Sequence, residues 1–186
     1  MPSALVLLAP GFEEIEAVTV IDLLRRAQIE VTVAALEDQT VCGSHDIRIV
    51  ADTRIDGLNP DHFDVLILPG GQPGSTHLKN HPTVLEWVRK RFSSGKKIAA
   101  ICAAPTVLEA AGITDGLKIT SYPSESAVFS ASQYIEQDVV EDGPVITSRG
   151  VGTAIDFALG IITLLKDRKT ADQIAERILY STKNSS

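Results

Sequence analysis

The chain has 186 residues, 44% apolar and 22% charged, an ordinary globular balance, and is read as one domain over 1–186 with a frayed polar tail at 181–186. A net charge of −7 excludes a general nucleic-acid binder, which needs a basic stripe, and the cluster from Arg89 to Lys97 is read as a solvated helix end. Two cysteines make no disulfide framework, no apolar run is long enough to span a bilayer, and MPSALVLLAPGFEE lacks the basic start of a signal peptide, so a cytoplasmic protein of a reducing compartment is expected.

In chain order the sequence predicts strand Ala4–Ala9, helix Glu13–Ala27 and strand Glu30–Ala35. Ile47–Ala51 follows as a strand that, with the segment around Val41, makes a hairpin or an edge excursion. Then come strand Asp64–Leu68, helix Pro82–Ser93, strand Lys97–Ile101, helix Thr106–Ala111, strands Lys118–Thr120 and Val145–Ser148, and helices Thr153–Lys166 and Thr170–Tyr180. Alternating helices and continuous Val/Ile/Leu strands imply a mostly parallel sheet covered on both faces. The stretch TAIDFALGIITLLK is apolar nearly all round and should be well buried. There is no internal repeat, linker or domain boundary.

Ligands of such sheets bind beyond the carboxyl ends of the strands, so the loops there carry the information. They hold Pro10–Glu16, Pro69-Gly70-Gly71, Cys102, and Arg149-Gly150-Val151-Gly152. Cys102 stands between a buried strand and a helix, flanked by Ala99, Ala100, Ala103 and Ala104. That is the setting of a nucleophile elbow, and helix-start N–H groups there favour thiolate. The alternative is an inert buried cysteine.

Glu13 and Glu14 are explained as first-turn acids that answer the helix dipole. Glu16 differs, because it shares a helix face with Val20, Leu23, Leu24 and Ala27. A carboxyl group on that apolar stripe loses hydration and tends toward its neutral form. Beside a thiolate it would donate a hydrogen bond and later move a proton; the alternative is that it reaches back to solvent. Backbone N–H groups of the Gly70-Gly71 loop and of Ala103 supply an oxyanion nest, although a glycine pair is also common turn punctuation.

The four histidines, His45, His62, His77 and His81, all precede Cys102. No histidine base follows it, and His77 is assigned to the surface of a short helix. HExxH, CxxC, GxxxxGK[ST] and GxGxxG are all absent, so no metal, nucleotide or other cofactor is expected.

These residues resemble the ThiJ/PfpI superfamily, also written DJ-1/PfpI, on the branch of the Parkinsonism-associated deglycase and YajL. The resemblance covers nearly the whole chain and rests on ALVLLAPGFEEIEAV at 4–18, DVLILPGG at 64–71, KKIAAICAAPTVL at 96–108 and ITSRGVGTAIDFAL at 146–159. It implies a flavodoxin-like three-layer α/β/α sandwich and a homodimer. It also implies that Cys102 is the nucleophile or redox thiol, Glu16 its carboxyl partner and proton shuttle, and Gly71 and Ala103 the backbone donors. Gly70 belongs to the same binding loop, and Arg26 matches a basic residue of the dimer interface next to the site.

This sequence departs from the family at four points. Ala103 stands where peptidase members carry histidine, so a peptidase is not expected. The segment SYPSESAVFSASQYIEQD holds no histidine where glyoxalase members keep one. His45 replaces an interface arginine, and Val151 replaces a proline. The expected function is cofactor-free conversion of methylglyoxal-type dicarbonyls, or their adducts, to lactate through a thiohemiacetal. The alternative is an oxidative-stress sensor or chaperone in which Cys102 oxidises to sulfinate. The expected partners are small reactive carbonyls and a second copy, with neither nucleic acid nor membrane.

Overall fold

Runs of Val, Leu, Ile and Ala build the central strands, which bury both faces. In the computed structural model, which describes residues 1–181, the strands are β1 (Ser3–Leu8), β2 (Glu30–Ala35), β3 (Thr40–Cys42), β4 (Arg48–Val50), β5 (Thr53–Arg54), β6 (Val65–Leu68), β7 (Lys97–Ile101), β8 (Lys118–Ile119), β9 (Gln133–Tyr134), β10 (Val139–Asp142) and β11 (Val145–Ser148). The helices are α1 (Glu14–Arg26), α2 (Gly74–Asn80), α3 (Pro82–Ser93), α4 (Pro105–Ala110), α5 (Ala154–Leu165) and α6 (Arg168–Arg177). The main sheet runs β10-β11-β7-β6-β1-β2-β5, parallel throughout except for the β10–β11 pair.

Strand alternation divides the core. Ala4, Val6 and Leu8 face a layer that includes α1, α5 and α6, while Leu5, Leu7 and Ala9 face α2, α3 and α4. This is the expected flavodoxin-like sandwich. The chain leaves β1 for β2 on one side and returns to β6 on the other, which puts a topological switch point between β1 and β6. The loops after β1, β6 and β7 therefore converge at one edge. Arg91 braces the opposite edge: its buried guanidinium donates to the carbonyls of Pro60, Phe63, Asp64 and Lys97, at the starts of β6 and β7.

Of the two forms expected for Ile47–Ala51 and the segment around Val41, the hairpin is the one observed: β4 pairs with β3 outside the main sheet, Val41 opposite Ile49. Other expectations need correction. Lys118–Thr120 also stays outside, because side chains take its ladder positions: Lys118 N–H donates to Asp142 Oδ2 and Thr120 N–H to Thr147 Oγ1. The edge strand β10 was not among the expected strands; it pairs with β11 across the turn Asp142-Gly143-Pro144, with Gly143 at φ 57°. Helix α2 has a single buried apolar side chain, Leu78, and so no periodic signal. The last helix starts earlier than expected, where Asp167 accepts from the Thr170 N–H at 2.7 Å, and ends at Arg177. Apart from Ser181, the expected tail lies outside the described residues. No helix among the described residues is long and apolar enough to cross a membrane.

Candidate active site

Cys102 ends the strand in a left-handed backbone conformation, φ 64°. Its N–H still donates to Ser148 O at 3.0 Å, and its carbonyl accepts from Tyr122 N–H at 2.8 Å. Bonded from both neighbours, the backbone is held in a conformation that costs about 1 kcal/mol for a residue with a Cβ. The turn delivers the sulfur to the carboxyl edge, where the N–H groups of Ala103 and Gly71 both donate to it.

Glu16 comes from the first turn of α1 and is fully buried. Its Oε2 accepts from Gly70 N–H at 2.9 Å. Its Oε1 is buried without another donor, and the carboxyl meets the Cys102 side chain. Gly70 makes the approach possible, since a Cβ there would stand 2.5 Å from the Cys102 Cβ and 2.6 Å from Glu16 Oε2. Gly71, at φ +93°, lets the loop turn against the Glu13 backbone. Gly70, Gly71, Glu16, Cys102 and Ala103 are therefore brought together.

Burial is the main force on the Glu16 carboxyl. Helped by the charge on Glu13 and opposed by the Gly70 N–H and Cys102, it raises Glu16 to about 7. Burial also leads for Cys102. With the Glu16 charge and hydrogen bond, it pushes the thiol up to about 12 against the pull of Ala103 and Gly71. The expectation of a simple low-pKa thiolate is corrected here: the Ala103 and Gly71 N–H groups favour the thiolate, but desolvation outweighs them. The pair holds two protons below about pH 7 and one above. A thiolate beside a neutral Glu16 is one of the two arrangements of the one-proton state.

The role of Glu14 went unread in the sequence. It is 3% exposed and accepts from His45 N–H at 2.7 Å, Ile47 N–H at 3.3 Å and Ser44 Oγ at 3.2 Å, with His45 Nδ1 at 3.1 Å. Burial opposes its charge, but its own backbone N–H and the bonds from His45 and Ile47 hold it at about 2. Glu14 thus fastens the β3–β4 hairpin to the start of α1, two residues before Glu16. An acid in a first turn carries no signal of such a distant partner. Glu13, Glu14 and His45 place ligand-type atoms within 4.8 Å of one another, with the Glu14 oxygens already engaged.

A cavity of about 650 Å³ opens over the sulfur, lined among others by Glu13, Glu16, Tyr122, Asp138, Arg149 and Val151. Thr153 shapes one wall, its Oγ1 accepting from the N–H groups of Arg149 at 3.2 Å and Gly150 at 3.1 Å. Arg26 is not part of this site within one chain. It lies at the other end of α1, pairs with Asp22 at 2.6 Å and lines a separate cavity with Lys166 and Arg177. His77 is exposed on α2, as expected.

A flavodoxin-like sandwich with a cysteine at a strand-to-helix elbow, met by a buried carboxyl from the first helix, defines the class. The chain belongs to the DJ-1/PfpI family, whose model matches residues 2–164. It is 45% identical to Protein dj-1beta of Drosophila melanogaster, over 96% of this chain and 97% of that protein. It is 37% identical to the glutathione-independent glyoxalase DJR-1.2 of Caenorhabditis elegans, over 88% of this chain and 89% of that one. The crystal structure of Drosophila melanogaster DJ-1beta matches with a TM-score of 0.94 at 43% identity, covering 97% of this chain and 99% of that one.

Proposed function

We propose that this protein is a cofactor-independent glyoxalase, acting also on dicarbonyl adducts as a deglycase would. The observation that carries this reading is the meeting of Glu16 with Cys102 under two backbone donors. The similarity to a glutathione-independent glyoxalase supports it.

The proposed reaction starts from the arrangement with the proton on Glu16. The sulfur adds to the aldehyde carbon of methylglyoxal, forming the C–S bond. The carbonyl electron pair moves to oxygen, which faces the Gly71 and Ala103 N–H groups and takes the Glu16 proton. The Glu16 carboxylate then removes the C–H proton of the hemithioacetal, giving an enediolate. It returns that proton to the neighbouring carbon, while the hydroxyl proton passes to the neighbouring oxygen, leaving a thioester. Water cleaves the C–S bond, lactate leaves, and the proton returns to the pair. One water is consumed and no oxidant is needed.

The test is lactate formation from methylglyoxal without glutathione. Activity lost in both Cys102→Ser and Glu16→Gln supports the reading. A folded wild-type protein that makes no lactate overturns it.

The second reading, a redox sensor or chaperone, draws support from the same donors, which would hold a sulfinate as they hold an alkoxide. Mild peroxide followed by mass spectrometry decides: two oxygens added at Cys102 and none at Cys42 favour it, and equal oxidation of both counts against it.

We also propose a cytoplasmic homodimer. Ile15 and Val18 on α1, Ile47 ahead of β4, and Val50 in β4 are exposed apolar residues on adjoining elements. Light scattering at the mass of two chains is expected, reduced in Val50→Asp; a single-chain mass for the wild type overturns the pairing.

A further inference from the structure

Arg149 has no part in the chemistry above, yet it lines the same cavity as Cys102 and Glu16. It follows the ladder pair Ser148–Ile101 by one residue, which sets it beside Cys102 at the carboxyl edge of the sheet. Its backbone is pinned through Thr153. Its guanidinium makes no hydrogen bond or ion pair among the described residues, although other surface arginines here do, such as Arg26, Arg54 and Arg168. Of the acids along the wall, Glu13 points its Oε2 at Ser44 Oγ, 3.3 Å away, and lies 3.6 Å from His45 Nδ1. Burial favours the neutral form of Glu16. Asp138 is the cross-strand neighbour of Arg149, one step beyond the pair Val139–Ser148. A cavity of about 650 Å³ is also far larger than a three-carbon dicarbonyl requires.

We propose that Arg149 is a substrate-binding residue that selects α-oxoaldehydes carrying a carboxylate. The planar guanidinium matches a carboxylate with two parallel hydrogen bonds. This rests on the reading of Cys102 as the thiol that adds to the aldehyde. With 4,5-dioxopentanoate the same steps, with one water consumed, give 2-hydroxyglutarate. The distal carboxylate is unchanged and no oxidant is involved.

The test separates the guanidinium from turnover. Cys102 in the full chain is alkylated by iodoacetate and, in parallel, by neutral iodoacetamide; peptide mass spectrometry reads the ratio of the two rates at Cys102 and at Cys42. The Cys102 ratio should exceed the Cys42 ratio by about tenfold, the scale of one hydrogen bond to a charged group, and should shrink as ionic strength rises. Arg149→Gln should bring it down to the Cys42 ratio, and Arg149→Lys should keep part of it. A wild-type Cys102 ratio at or below that of Cys42 overturns the proposal, since Asp138 would then neutralise the guanidinium; this outcome needs no variant to fold. An unchanged ratio in folded Arg149→Gln overturns it as well. In turnover, kcat/KM for 4,5-dioxopentanoate relative to methylglyoxal should fall about tenfold in Arg149→Gln. An alkylation preference without any lactate from methylglyoxal would overturn the glyoxalase reading and leave the anion site standing.

Discussion

Glu16 grips the Gly70 N–H with one carboxyl oxygen at 2.9 Å and leaves the other, buried and without a further donor, to the Cys102 side chain. The two groups therefore titrate as a pair. Below about pH 7 both hold protons and the sulfur is a thiol; above it, one proton is shared and thiolate becomes reachable. Alkylation of Cys102 by iodoacetamide should rise with pH through a midpoint near 7. In Glu16→Gln that midpoint should vanish and the rise should move to higher pH, where the buried thiol ionises by itself. An identical profile in both proteins would show that the carboxyl and sulfur are uncoupled.

The same carboxyl sets a stability trend. Glu16 sits at about 7 in the fold against an ordinary 4.5, so the folded chain keeps a proton that the unfolded chain releases. Its contribution is full below pH 4.5 and is lost as pH rises through about 7. Glu16→Gln removes that loss. Its stability relative to wild type should grow between pH 5 and pH 8 by on the order of 3 kcal/mol. Denaturant melts at the two pH values give the answer, and a constant gap would mean an ordinary carboxyl.

Gly70→Ala tests the close approach. The added methyl would meet Cys102 and Glu16 well inside contact distance, and both belong to rigid elements. Lactate formation should fall by about a hundredfold with the far-UV spectrum retained. Full activity would show that the loop yields at little cost.

Cys102 carries backbone strain that its side chain does not relieve. Cys102→Gly should therefore be more stable than Cys102→Ala, although the looser unfolded chain of the glycine variant offsets part of the gain. The expected net difference is about 0.5–1 kcal/mol in chemical denaturation. The reverse order would mean that the elbow relaxes once the sulfur is gone.

Glu14 acts with the opposite pH sign. Its carboxyl is held at about 2 against an ordinary 4.5, so its contribution is present above pH 4.5 and is lost as pH falls through about 2. Glu14→Gln should cost on the order of 1–2 kcal/mol at pH 7, allowing for solvent that reaches the hairpin, and the gap to wild type should close toward pH 2. Hydrogen exchange should quicken at His45 and Ile47, whose N–H groups lose a charged acceptor. Unchanged protection there would place the hold on the hairpin elsewhere.

Much of this was legible in the order of residues. The strand runs at β1, β2, β6, β7 and β11 carry a strong local pattern because a strand buried on both faces has to be apolar at every position. Cys102 stood out at the end of one such run, and Glu16 as a carboxyl on the apolar stripe of the first helix. Strand β10 and helix α2 were less legible, since short edge elements bury few side chains and so carry little periodic signal.

The sequence by itself determined the alternation of strand and helix, the parallel sheet, and the small residues that let a cysteine end one strand and a carboxyl enter one apolar stripe. Those follow from side-chain periodicity and volume, which are local. Tertiary structure alone decided that Glu14 locks a hairpin, that Arg149 lines the Cys102 cavity while Arg26 does not, and that the thiol rests high rather than low. Each of these depends on which groups are desolvated together, and desolvation is set by neighbours tens of residues away.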